Sequence, residues 1–506
     1  MGLLFESGDI DILEPVLEEK SECRLETEVY LPDYLPDVQK LLRSEIIPRV
    51  ASRDMLAGRI TIEGEAEIRI FYKSSDDSVS CAVTHKEFSH TFAVSEPDAD
   101  YDVSTETVGS INSVRASGPR KIAVKAEITT SVIAVKKSVL QIVETVSNGI
   151  EARKERISAI SNAESSEREI RVTEEIELPE TLPEISALLY AEAKAKVADA
   201  TVSNGRFVIK GDLTVKPVCL ASDGKLVDCE FSFPVSHIFD IPNLDEGYVC
   251  DAELQIVSVY AEAEQSSEGK NRVIDCEVVM NAILHAYKTS EYEIITDVFS
   301  PCSELTEEYV EAKYLTCYDF YHDEKNVKGQ IKTENAVSSI INVYTSPRIM
   351  RVSADNGCLK AEGIVNADII YVSDGSGVCS KKADIPFEFS FPYNCDFQLR
   401  CETNVSVAAV SYNISGENSV DLRCDVAIKA SVCAERRLRV VSEVASAGEK
   451  ESCGRCPIIL YFAESGESAW DISKKYGASF SEVISENTLD GDEITTAKML
   501  IIPLKR

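Results

Sequence analysis

Positive charge is scarce in this chain. Against 86 Asp and Glu it sets 52 Lys and Arg, for a formal net charge of −34, and no basic stretch of useful length interrupts that balance. A nucleic acid or an anionic membrane surface would repel such a chain, so neither is an expected partner. Long apolar runs are lacking as well. Nothing approaches the ~18 apolar residues of a membrane span. The opening MGLLFESGDIDILEP has neither the basic n-region nor the apolar core of an export signal. No direct membrane insertion is expected, and cytoplasmic residence is the default.

Motifs that carry chemistry are missing too. None of G-x-S-x-G, H-E-x-x-H, G-x-x-x-x-G-K-S/T or G-x-G-x-x-G occurs, so no catalytic residue and no cofactor is assigned. Histidine is limited to His85, His90, His237, His285 and His322. His90 and His237 fill equivalent slots in SHTF and SHIF, where a later copy has Phe389, so packing explains them better than proton transfer. Sixteen cysteines are diluted over a chain without an export signal, which favours reduced thiols. Cys276 and Cys424 align with Val124 on an inward strand face and act there as small hydrophobes. The one C-x-x-C, Cys453 to Cys456, has no second pair to complete four ligands, so it reads as linker and no metal site is expected. Carboxylate pairs such as those at Glu174 and Asp490 read as solvated strand faces or loops.

What the chain does have is repetition. LPDYLPDVQKLL begins at Leu31 and LPETLPEISALL at Leu178, and 147 positions likewise separate GRITIEGEAEIRIFY at Gly58 from GRFVIKGDLTVKPVC at Gly205. A third copy, GCLKAEGIVNADIIYV from Gly357, keeps the glycine frame; its lead-in VSSIINVYTSPRI from Val337 has lost both prolines. Because proline fixes φ and suits the first turn of a helix, Pro36 and Pro183 predict a short entrance helix in each unit.

The body of each unit reads as strand. Ile60, Ile62, Ala66, Ile68, Ile70 and Tyr72 share one face; Arg59, Thr61, Glu63, Glu65, Glu67 and Arg69 share the other, which is predicted to be wet. Gly64, Gly211 and Gly363 interrupt the dry row at one place, which predicts a bend or bulge. A later strand repeats the pattern with Ile122, Val124, Ala126, Ile128 and Val132, and again with Leu422, Cys424, Val426, Ile428 and Val432. KSSDDS, LASDGK and VSDGSG predict hairpin turns. The reading is mainly β: three tandem hairpin-rich β domains at 24–147, 168–300 and 313–446, giving reach, then a small tail at 457–506. KERISAISNAESSERE from Lys154 is a connecting helix or a linker.

The tail changes character. ILYFAESGESAWDISKKYGASFSEVISENTLDGDEITTAKMLIIPL from Ile459 predicts strand, helix, helix, strand, with Ser468 as N-cap of the first helix and Gly477 ending it. YFAESGESAWDISKKYGAS, ISENTLD and MLIIP resemble a LysM domain. The triple β unit with its LPD lead-in resembles SPOCS domains of spore-forming Firmicutes. SPOCS repeats followed by one C-terminal LysM are the layout of SipL-type spore coat assembly proteins. That resemblance implies a non-enzymatic scaffold in the mother-cell cytoplasm at the forespore surface, binding a SpoIVA-like coat morphogenetic ATPase. A LysM resemblance alone implies the alternative, a wall protein binding N-acetylglucosamine glycans. Its groove would lie between Ser465, Gly466, Glu467 and Ser468 on one loop and Asn487, Leu489, Asp490 and Ile494 on the other. Here Ser465 and Glu467 replace the proline and aspartate of the LysM pattern, and TTAK replaces its Pro-Gly, which hinders close backbone approach. A protein contact is suggested instead by the first strand, apolar from Ile458 to Phe462, since a strand on so small a domain buries only alternate side chains. Ile458, Leu460, Phe462 and the sole tryptophan, Trp470, form the expected partner-binding surface. Trp470 has two readings, core filler or part-exposed contact.

Overall fold

The computed structural model describes residues 5–504 apart from 34, 76–77, 97–100, 204, 223–225, 266–268, 356, 374–376, 394–398 and 450–457. The first third forms β1 (Phe5–Tyr30), β2 (Val38–Leu56), β3 (Arg59–Ser74), β4 (Val79–Ala93), β5 (Tyr101–Gly118) and β6 (Lys121–Val146), in two antiparallel sheets ordered β1-β6-β5 and β2-β3-β4. The second third forms β7 (Glu151–Glu177), β8 (Ile185–Ser203), β9 (Arg206–Ala221), β10 (Leu226–Asp228), β11 (Phe231–Asp240), β12 (Tyr248–Gln265) and β13 (Asn271–Phe299). Its sheets are β12-β13-β7 and β9 flanked by β8, β10 and β11. The last third forms β14 (Ser303–Lys332), β15 (Ser339–Asp355), β16 (Cys358–Ser373), β17 (Gly377–Pro392), β18 (Leu399–Ile414) and β19 (Ser419–Glu449), ordered β14-β19-β18 and β15-β16-β17. The same pairing order therefore occurs three times. In each third the first and last strands pair along their length, as Phe5 with Val146, Glu151 with Phe299 and Ser303 with Glu449.

Alternation decides which faces meet. Ile60, Ile62 and Ala66 of β3 pack with Ile128 and Val132 of β6, and Ile68, Ile70 and Tyr72 pack with Ile122, Val124 and Ala126. Each Ile or Val among them contributes about 1.5–3 kcal/mol on full burial. Cys276 and Cys424 lie in the corresponding cores, and His90 is buried beside Phe88. The hairpins form where expected, Lys73 against Val79, Leu220 against Leu226 and Ser373 against Gly377. Turn residues 76–77, 223–225 and 374–376, and the Cys453 to Cys456 motif, lie outside the described residues.

The frame glycines have a common cause. The pairing slips on the neighbouring strand at Val50/Ser52 opposite Gly64, at Val197/Asp199 opposite Gly211 and at Ile349/Arg351 opposite Gly363. These are β-bulges, as predicted, carried by the partner strand. A Cβ on Gly64 would strike the Arg49 carbonyl and the Phe88 ring; one on Gly363 would strike the Arg348 carbonyl and the Phe387 ring.

Several expectations fail. No entrance helix forms: the lead-ins are turns, and β2 and β8 begin at Val38 and Ile185. The turn carbonyls are held by arginine instead. Arg120 donates to Leu31 O, Pro32 O and Leu35 O at 3.3, 2.7 and 3.2 Å, and Arg272 donates to Pro179 O and Leu182 O at 2.9 and 2.6 Å. At the matching position the third copy has buried Val420, so prolines and arginine are lost together. Further slips at Val38/Lys40 and Leu41/Arg43 place Leu41 and Leu42 in two different cores, which breaks the period of two and imitates a helical pattern. The segment from Lys154 is neither helix nor linker but part of β7, paired with β13.

The three sets do not string out; they pack on one another. Ile10, Ile12 and Ile142 meet Ile157, Ala159 and Ile294 of the second set and Tyr314, Leu438 and Val440 of the third. At another seam the Phe71 ring lies 5.6 Å from Tyr190 and 5.0 Å from Tyr344, whose hydroxyls are 3.2 Å apart. This seam buries Arg69, which was expected on the wet face. Its guanidinium pairs with Glu67, Glu45 and Glu192 at 2.5, 3.4 and 3.3 Å and lies over the Tyr190 ring.

Candidate docking face on the C-terminal tail

The tail consists of β20 (Ile458–Ala463), α1 (Ala469–Tyr476), α2 (Phe480–Glu486) and β21 (Lys498–Pro503). Ser468 caps α1, its hydroxyl accepting from the Asp471 amide, and Gly477 ends the helix at φ 64°. Ala463, Ala469, Ile472, Ala478, Val483, Ile494, Leu500 and Ile502 form its core. One face of each strand supplies that core, so the other faces water. Ile458, Leu460 and Phe462 are 54%, 66% and 60% exposed. Leu460 pairs directly across from Ile501 and Phe462 from Met499, both also exposed, so five apolar side chains form one open patch. Met499 and Ile501 escaped the sequence reading, although alternation in MLIIP was the signal.

Trp470 is not on this face. It is 1% exposed and absent from the tail's own core cluster. Its ring stands edge-on to Phe299 of β13 at 4.9 Å and to Phe480 at 5.4 Å, and its indole N–H donates to Asp297 at 2.7 Å.

The two loops considered for a glycan are tied to each other. Gly466 N donates to Ile494 O at 2.8 Å, Ile494 N to Glu467 O at 2.9 Å, and Ser465 Oγ to Thr495 O at 2.9 Å. Ser468 Oγ donates to Asp492, which also accepts from Arg153 of β7 at 2.8 Å. Glu467 accepts from the Glu464 amide and the Tyr461 hydroxyl, which together hold its pKa below the usual value. Asn487 is spent on Val483 O and on both backbone groups of Ile501, Leu489 packs on the tail core, and Asp490 is exposed. Backbone groups that would grip a sugar are therefore largely engaged.

Inside the body all three sets contribute to a polar cluster. His285 lies 3.2 Å from Asp102, which also accepts from Tyr287 at 2.9 Å, while Ser104 donates to Glu402 at 2.8 Å. Burial disfavours charge on His285, but Asp102 outweighs it and the histidine pKa is raised. The Ser104 hydroxyl is committed to Glu402 rather than to His285, so the cluster reads as a seam. Among the described residues no three His, Cys, Asp or Glu side chains are grouped to hold a metal, and no helix is long and apolar enough to cross a membrane.

Residues 37–117 match the family described as SipL, SPOCS domain. The match runs from just before β2 through nearly all of β5, so the first third is similar to a SPOCS domain over most of its strands. No curated protein matches the chain.

Proposed function

We propose that this chain is a SipL-type, non-enzymatic scaffold of spore coat assembly, built from three SPOCS-like β bodies and a LysM-like tail. It works in the mother-cell cytoplasm at the forespore surface and binds a SpoIVA-like coat morphogenetic ATPase. The observation that carries this reading is the patch of Ile458, Leu460, Phe462, Met499 and Ile501, contiguous, aliphatic and aromatic, with no polar group to address. Such a patch gains most from an apolar protein surface that excludes water. The acidic body keeps the scaffold soluble and disfavours acidic competitors.

Glycan binding is the alternative, supported by the strand-helix-helix-strand order of the tail. The tied loops count against it. Co-precipitation of the full chain with the purified ATPase, beside chitin and peptidoglycan, separates the two. Retention by the ATPase alone supports the scaffold reading; retention by glycan alone removes it.

A further inference from the structure

We infer that the tail is clasped to the body through Trp470 and Asp297, so that one side of the tail is permanently taken and only the β20–β21 face is offered outward. The inference stands independently of the identity of any partner.

The connectivity makes the clasp informative. The tail follows β19 of the third set, yet most of its polar contacts fall on the β7–β13 ribbon of the second. The Asp297 carboxylate, near the end of β13, gathers three side-chain donors, Trp470 Nε1 at 2.7 Å, Lys474 Nζ at 2.6 Å and Tyr309 Oη of β14 at 3.1 Å, besides the Val298 amide. Lys474 also lies 3.7 Å from Glu307 of β14. Flanking contacts continue the seam, with Arg153 pairing with Asp492 at 2.8 Å and Ser479 donating to Glu151 at 2.6 Å. Trp470 thus inserts an apolar ring between Phe299 and Phe480 while its one polar atom reaches a charged acceptor. A buried indole N–H needs such an acceptor, and a charged one makes the stronger bond. The tail core closes without Trp470, so the side chain's partners are chosen for joining two parts of the chain. It is a positioning residue, and its effect on any partner is indirect.

Because Trp470 is the sole tryptophan, intrinsic fluorescence of the full chain reads the clasp without a label. The wild type is expected to emit from a dry site and to resist acrylamide. Asp297→Ala combined with Arg153→Ala is expected to shift emission to the red and raise acrylamide quenching several-fold, with the far-ultraviolet circular dichroism unchanged. Asp490→Ala, an exposed tail residue outside the seam, should leave both readings alone. Should the double variant fail to fold, Lys474→Ala with Tyr309→Phe, which keeps the Tyr309 ring packed in its core and removes only the hydroxyl, gives the same test at smaller amplitude. A folded double variant whose emission and quenching match the wild type would overturn the clasp, as would an equal change in Asp490→Ala.

Discussion

The two sides of the tail differ in one respect that decides their fate. Both present aromatic and aliphatic side chains, but the Trp470 side also carries an indole N–H and the Lys474 ammonium, and both find Asp297 within the same chain. The β20–β21 face has only hydrocarbon and a thioether, and nothing in the described body covers it. A polar handle fixes an apolar group to one acceptor in one geometry, whereas a bare apolar face waits for whatever complementary surface arrives. Trp470 therefore resolves as neither pure core filler nor exposed contact, but as an internal joint.

This contrast can be broken from either side. The largest effect is expected for Trp470→Ala, which empties the space between Phe299 and Phe480 and should cost about 3–5 kcal/mol in the seam and tail; differential scanning calorimetry should show a component melting earlier while the body transition stays. Next, Leu460→Asp should leave the melt within about 0.5 kcal/mol of wild type yet cost more than about 2 kcal/mol of partner binding. Tyr309→Phe removes one of the three side-chain donors to Asp297 and should weaken the clasp by about 1 kcal/mol, visible as a small rise in quenching.

Two pH responses of opposite sign sharpen the comparison. Burial works against the Asp297 charge, but Lys474 and Trp470 outweigh it and hold its pKa below the usual carboxylate range. A depressed acid stabilises the folded contact above its free value of about 3.9 and loses that contribution as pH falls through the lower folded value, so tryptophan emission should redden only in acid. His285 behaves inversely. Its raised pKa makes the His285–Asp102 contribution complete below the free value of about 6.5 and lost as pH rises through the folded value. Thermal melts should therefore decline on the alkaline side, with a shallower slope in His285→Gln.

Much of the architecture was legible. The row from Ile60 to Tyr72, the hairpins, the glycine slots and the caps at Ser468 and Gly477 are local consequences of period, turn chemistry and φ, and they appear as read. What escaped was whatever depended on contacts between distant segments. Arg69 looked solvated because alternation cannot know that Tyr190 and Glu192 will cover the outer face of β3. The lead-ins looked helical because bulges at β2 hide the strand period, and because the arginine that fastens the turn stands some 90 positions away, as the Arg120 guanidinium donating to Leu31 O shows for the first copy. On the tail, the outward row was half visible in Ile458, Leu460 and Phe462, but its completion by Met499 and Ile501 needed the register of β20 on β21.

The most direct measurement is a calorimetric titration of the full chain, wild type and Leu460→Asp, with the purified SpoIVA-like ATPase. Binding weakened by more than about thirtyfold in a variant that melts like wild type is the predicted result. Equal affinity in the two folded proteins would contradict the assignment of the open face.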